Sequence, residues 1–206
     1  MKVTLLSKPD AGVCVTAAGM CYNAKDPYKA LLNALKSGHE SVIEHSKFSF
    51  LIEDVSRVLL AQLTRHRIAS FSVQSQRYCG ADLNIIIPDS IGSSELMDEV
   101  LGLRRHVEKV YNKLVESGIP AEDARYFTLQ GGVTRLVMTM NFRELRHFFE
   151  LRCCNRAQWE IRHMADEMLR ICKQEVPELF ADAGPGCVRG ACPEGSRSCG
   201  EPRCDL

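Results

Sequence analysis

Residues Lys47 to Arg77 read KFSFLIEDVSRVLLAQLTRHRIASFSVQSQR, and the change of period within them decides the fold class. Lys47 to Glu53 alternates in the two-residue rhythm of a strand. From about Ser56 the rhythm becomes helical, with Val58, Leu59, Gln62 and Leu63 recurring at i, i+3 and i+4. The helix delivers the chain to Arg65, His66 and Arg67. No carboxylate occurs between Asp54 and Asp82, yet Arg57, Arg65, Arg67 and Arg77 all lie there. Serines and glutamines interleave the arginines, donors and acceptors that suit phosphate oxygens and base edges. A nucleotide or cofactor phosphate is the anion this segment asks for.

Outward from that segment, strands and helices are mixed without regular alternation. Val3 to Ser7 reads as a strand. Asp26-Pro27 opens a helix through Leu31, Leu32 and Leu35 that Gly38 ends. Leu83 to Pro88 reads as a strand, Ser94 to Ser117 as a long amphipathic helix stopped by Gly118, and Pro120 to Arg125 as a short helix. Thr134 to Met140 has strand character. Asn141 then caps a helix, with Glu144 three residues on to complete a capping box. A last helix runs from about Gln158 to Gln174. The Gly-rich dinucleotide fingerprint is missing. These elements predict an α+β fold with a central, mostly antiparallel sheet flanked by helices. A catalytic domain spans residues 1–182, and composition shifts at Ala183 to a Gly/Pro/Cys-rich tail, 183–206.

The 206 residues carry 26 basic and 26 acidic side chains, so the basic cluster is local. A broad nucleic-acid or membrane-binding surface is disfavoured, and a small-molecule site is favoured. The N-terminus lacks the apolar run of a signal peptide, and no stretch has membrane-span length. The expectation is a cytoplasmic protein. Ten cysteines are many for that compartment. Cys14, Cys21, Cys79, Cys153, Cys154 and Cys172 read as small buried hydrophobes.

Two arginine sets stand out. If the helix continues to Arg67, then Arg65, His66 and Arg67 point about 100° apart and serve different ligands or different subunits. Leu145, Phe148, Phe149 and Arg152 form one stripe, so Arg152 looks into a core or cleft and needs an acceptor, from a protein carboxylate or from a ligand. Arg143, His147 and Glu150 share another face of that helix, so one element can serve two ligands. His39 to His45 lacks the second His at position 43 that a zinc-protease helix requires. Cys79 is read as a buried structural thiol, with no base beside it to make it a nucleophile. Cys187, Cys192, Cys199 and Cys204 are spaced x4, x6 and x4, unlike paired zinc modules. They form a structural thiolate zinc site, a reduced flexible tail or a set of oxidation-prone thiols, and no metal is assigned.

Arg65-His66-Arg67, seven residues, then Ser75-Gln76-Arg77 resembles the signature of the flavin-dependent thymidylate synthases. His39-Glu40-Ser41, Glu44-His45, Ala124-Arg125, Asn141-Phe142-Arg143, Leu151-Arg152 and Ala157-Gln158-Trp159-Glu160 agree in order, from about Gly38 to Phe180. The resemblance implies a homotetramer with active sites shared between subunits. It implies FAD as cofactor, dUMP as substrate, 5,10-methylenetetrahydrofolate as carbon donor and NADPH as reductant. Carried over by position, Ser41, Arg65, His66, Arg67, Asn141, Phe142, Arg143 and His147 would contact FAD. Gln62, Leu63, Thr64, Arg65, Val73, Gln74, Ser75, Gln76, Arg77, Arg125 and Arg152 would hold dUMP, with Arg77 on the phosphate. Arg152 would act on the uracil ring as the catalytic residue, favouring its N3-ionised form. Ser72-Val73 stands where many relatives carry Asn-Glu, so Val73 would contribute backbone, and His147 stands where Asn is frequent. Two rivals are a cysteine-nucleophile, folate-dependent methylase without flavin and a non-catalytic nucleotide or RNA-binding module.

Overall fold

The computed structural model describes residues 1–203, and Cys204 lies outside them. In chain order the elements are β1 (Lys2–Ser7), α1 (Gly12–Tyr22), α2 (Pro27–Lys36), β2 (Lys47–Ser56), α3 (Arg57–Leu63), β3 (Ala69–Val73), α4 (Asp89–Gly92), α5 (Met97–Glu116), α6 (Ala121–Ala124), β4 (Val133–Asn141), α7 (Phe142–Arg152), α8 (Trp159–Glu175) and α9 (Pro177–Phe180). The strands form an antiparallel sheet in the order β1-β2-β4-β3, and the fold is α+β as the mixed periods predict. Among the described residues no helix is long and apolar enough to cross a membrane.

Helix starts follow their capping chemistry. The Asp26 carboxylate accepts from Lys29 N–H with Pro27 at the first position, and Ser56 Oγ accepts from Leu59 N–H. Asn141 accepts from Glu144 N–H at 2.8 Å. Gln158 Oε1 accepts from Glu160 N–H at 3.1 Å and Ile161 N–H at 3.3 Å. Two stops rest on positive φ: Gly38 at +74° after α2 and Gly118 at +86° after α5, a backbone conformation that residues with a side chain rarely adopt.

Two compact units make up the chain. One gathers Met1–Lys2, Ile52–Arg65 and Ser72–Leu136, with Ile52, Val55, Leu59, Leu63, Ala124 and Leu136 in its core. There α5 holds the preceding irregular segment: Tyr111 Oη accepts from Ala81 N–H at 3.0 Å and Arg104 Nε donates to Leu83 O at 3.0 Å. The other gathers Val3–Leu51, His66–Phe71 and the described chain from Val137 on. Its core is aromatic. Phe48, Phe142 and Phe180 meet at centroid distances of 5.1 to 5.7 Å, and all three are fully buried. Within it α1 packs on α2, and α8 packs on α7 and α9.

Three expectations are corrected. The helix at the arginine motif ends at Leu63, so Arg65, His66 and Arg67 are not fanned on a helix; they cross a turn into β3. Leu83 to Pro88 is no strand. Ile85 alone bridges Gly132, because Leu83 O is taken by Arg104 and Pro88 has no N–H to continue a ladder. Cys79 is exposed, as is Cys21, whereas Cys14, Cys153 and Cys172 are buried.

Candidate active site

Helix α7 borders two cavities of the second unit. The first, of about 450 Å³, is lined by Asn141, Arg143, Glu144, Arg146, His147 and Glu150 from the start and one face of α7, by Glu40 and Glu44 from the Glu40–Ile43 turn, and by Ile68 and Arg189. The second, of about 520 Å³, lies between the C-terminal end of α7, where Leu151 and Arg152 face it, and the segment Pro185 to Arg203. His147 and Glu150 line both. One helix thus lines two neighbouring cavities.

Arg152 has its acceptor. Its Nε donates to His66 Nε2 at 3.0 Å. His66 is buried at 7% exposure, edge-on to Phe148 with centroids 4.9 Å apart, and its Nδ1 lies 3.4 Å from Glu144 Oε1. Burial, then the charge of Arg152 and His147 beside it, lowers the His66 pKa to about 4. Burial raises that of Glu144. Arg143 is ion-paired to Glu44 at the solvent edge. Arg146 is held more deeply: its Nε donates to Glu40 at 3.1 Å, and its two terminal nitrogens grip Asp182 at 2.8 and 3.1 Å. A further bond runs to Leu179 O. Phe142 is core, and its backbone N–H donates to Ser46 O at 3.0 Å. It places Asn141 and Arg143 without offering its own side chain. Ser41 is exposed on the Glu40–Ile43 turn, and Arg67 is exposed with no carboxylate partner among the described residues.

The residues expected at the nucleotide, Arg152 apart, lie in the first unit. Leu63 is fully buried and Gln76 is 7% exposed, while Gln62, Val73, Gln74, Ser75 and Arg125 are half-buried. Thr64 Oγ1 donates to Leu60 O, closing α3, and Gln74 N–H donates to Arg135 O. Ser75 Oγ accepts from Arg77 N–H at 3.2 Å, a turn-making bond. Arg77 Nε meets Glu122 Oε2 at 2.7 Å, and Arg125 Nε donates to Glu122 O at 3.1 Å. Glu122 therefore draws Arg77 and Arg125 to one place. Arg57 joins them electrostatically: burial, then the nearby charge of Arg125, lowers its pKa. Arg65 is exposed with no carboxylate partner among the described residues.

Sequence reading missed Glu122 and Arg146, counted Arg57 only among the acid-free arginines and gave Glu144 only a capping role. Arg146 was findable, because it sits between Leu145 and Phe148 and faces the same demand for partners as Arg152. Glu144 was assigned to the capping box; its N–H does bond to the cap, while its carboxylate turns to His66. Among the described residues no group of three or more His, Cys, Asp or Glu side chains is gathered to hold a metal.

A family model described as thymidylate synthase complementing protein matches residues 4–178. The flavin-dependent thymidylate synthase of Geobacter sulfurreducens is 44% identical over 220 residues, covering 98% of this chain and 94% of that protein. Those of Nitratidesulfovibrio vulgaris and Pyrococcus abyssi are 47% and 44% identical, covering 82% and 84% of this chain. With its motif arginines and the double-sided helix α7 in place, the chain belongs to the thymidylate synthase complementing protein family, that of the flavin-dependent thymidylate synthases.

Proposed function

We propose that the chain is an FAD-dependent thymidylate synthase that converts dUMP to dTMP with 5,10-methylenetetrahydrofolate and NADPH. One observation carries the site assignment: a single helix lines two neighbouring cavities and presents Arg152 to one, Asn141 and Arg143 to the other, and His147 to both. The transferred carbon arrives as a methylene and leaves as a methyl. It gains two electrons and a hydrogen while uracil C5 loses a proton. When bound, the flavin supplies the two-electron carrier between NADPH and that carbon.

The chain's own groups bind and polarise. Arg152 sits where its guanidinium can donate to the uracil ring and stabilise the negative charge that makes C5 a nucleophile. Arg77 and Arg125, with Gln74, Ser75 and Gln76, hold the nucleotide. Ser75 is engaged with the Arg77 backbone, which fits binding better than attack on the ring. Gln62, Leu63, Thr64 and Val73 form the surround.

Ser41, Arg65, His66, Arg67, Asn141, Arg143 and His147 form the flavin side. The donor set there fits an anionic dinucleotide in kind, although the lining counts three arginines against four glutamates. A diphosphate therefore needs cations from beyond it, and the exposed Arg65 and Arg67 of neighbouring subunits answer that need in a homotetramer with shared sites. The catalytic domain is residues 1–182 and the tail is an addition to it. NADPH and reduced folate as co-substrates agree with a cytoplasmic setting.

The test is an anaerobic assay of the purified protein with dUMP, NADPH and methylenetetrahydrofolate. Bound yellow flavin and FAD-dependent dTMP are expected. Flavin-loaded protein that forms no dTMP ends the proposal. Turnover that disappears in Cys79→Ala, with flavin retained, makes Cys79 a reacting thiol, and a protein that forms dTMP without flavin is the cysteine-nucleophile rival.

A further inference from the structure

We infer that Glu144 is a positioning residue that acts through His66 to aim Arg152, joining the two cavities of α7 by a three-residue chain. Donor and acceptor roles leave little freedom here. An arginine Nε–H only donates, so the 3.0 Å bond from Arg152 Nε makes His66 Nε2 the acceptor. A neutral imidazole accepting at Nε2 carries its proton on Nδ1. Glu144 Oε1 lies 3.4 Å from that nitrogen, within ion-pair reach and short of a closed hydrogen bond. A carboxylate at Nδ1 selects this tautomer, and the tautomer keeps the Nε2 lone pair on Arg152. The alternative, a charged imidazolium paired to Glu144, would put a second N–H against the guanidinium and break the bond.

The chain is built rigidly. The His66 and Glu144 side chains are 6% and 11% exposed, and Phe148 packs edge-on against the imidazole. Glu144 is fixed at its own backbone, because its N–H is bonded to the Asn141 cap at the start of α7. The same helix carries Arg152 two turns later, at its last residue. Glu144 lines the first cavity and Arg152 the second. His66, in the turn between α3 and β3, is the bridge. A rearrangement of Glu144 by a ligand in the first cavity would change how firmly Arg152 is held toward the other.

The inference rests on the thymidylate synthase reading for the meaning of Arg152, and its test separates the two. Wild type, Glu144→Ala and Glu144→Gln are compared for flavin content, kcat and KM for dUMP. In parallel, isotope-labelled histidine is read by NMR in the flavin-loaded wild type. Glu144→Ala is expected to keep flavin and lose about ten- to a hundredfold in kcat/KM for dUMP, the scale of a misaimed reacting group. Glu144→Gln, whose amide oxygen can accept from Nδ1–H, is expected to recover most of it. The His66 spectrum is expected to show a neutral ring with the proton on Nδ1. Unchanged kcat/KM in Glu144→Ala, equal damage in Glu144→Gln, or a His66 ring protonated on Nε2 each overturns the inference. Where Glu144→Ala does not fold, Glu144→Leu, which keeps a helix-forming side chain and removes the acceptor, takes its place under the same readouts. A wild type that makes no dTMP defeats the functional reading, and the tautomer then still decides the chain of contacts.

Discussion

His66 is a buried imidazole whose two nitrogens face groups of opposite demand, and its protonation is therefore linked to folding. Its folded pKa lies near 4, below the unfolded value of 6.5, so the folded state disfavours the proton. The stabilisation is complete above about pH 6.5 and is lost as pH falls toward 4. The shift corresponds to roughly 3 kcal/mol, since one unit is about 1.4 kcal/mol. Denaturant unfolding of wild type and His66→Gln from pH 7 to pH 4.5 should show the wild type losing more stability on acidification; parallel curves would contradict the linkage. At the same scale, Arg152→Ala should retain flavin and nearly abolish dTMP formation, and normal product formation would remove its proposed role. Arg152 was legible because a guanidinium closing the Leu145, Phe148 and Phe149 stripe must find an acceptor. That the acceptor is His66, 86 residues back, was not legible, because only the fold brings the two together.

Elements were read best where local chemistry dictates them. Helix α7 starts at the Asn141 cap and the sequence says so. Asn141→Ala should cost about 1 kcal/mol of stability and Asn141→Asp much less, checked by thermal melts; equal melts for wild type and Asn141→Ala would mean the cap does not limit stability. Arg146 in the same helix should be costlier to lose. It is 8% exposed and ties Glu40, Asp182 and Leu179 O to α7, so Arg146→Ala should destabilise by roughly 3 kcal/mol. Its partners keep access to water, which holds the cost to the lower end of that range. Helix α1 escaped the sequence reading for the opposite reason. Gly12–Tyr22 has no side-chain cap and no polar stripe to set its period, and packing on α2 decides it. Strand β3 escaped although Ala69, Phe71 and Val73 alternate with Ser70 and Ser72 in a strand's rhythm, because five residues lodged in an arginine- and serine-rich run give that rhythm little length, and sheet pairing completes it.

At the scale of the molecule, the composition break at Ala183 was visible, but the fastening of the tail to the helices was not. Arg203 reaches Asp166 with two bonds of 3.0 and 2.9 Å and Cys153 O with a third, and Arg156 and Asn155 hold Arg197 O and Glu201 O. The last and largest prediction concerns how copies combine. If one nucleotide meets Arg77 of one subunit and Arg152 of another, Arg77→Ala and Arg152→Ala proteins are each inactive. Mixed assemblies, made by co-expression, then contain sites in which both arginines are present. Random pairing of equal amounts restores about a quarter of the sites, because each site draws its two arginines independently from the two pools. If both arginines come from the same chain, every site keeps one defect and mixing restores nothing. Measured dTMP formation by the mixed assembly, normalised to flavin, therefore distinguishes a shared site from a self-contained one, and it does so without reference to the assembly's size.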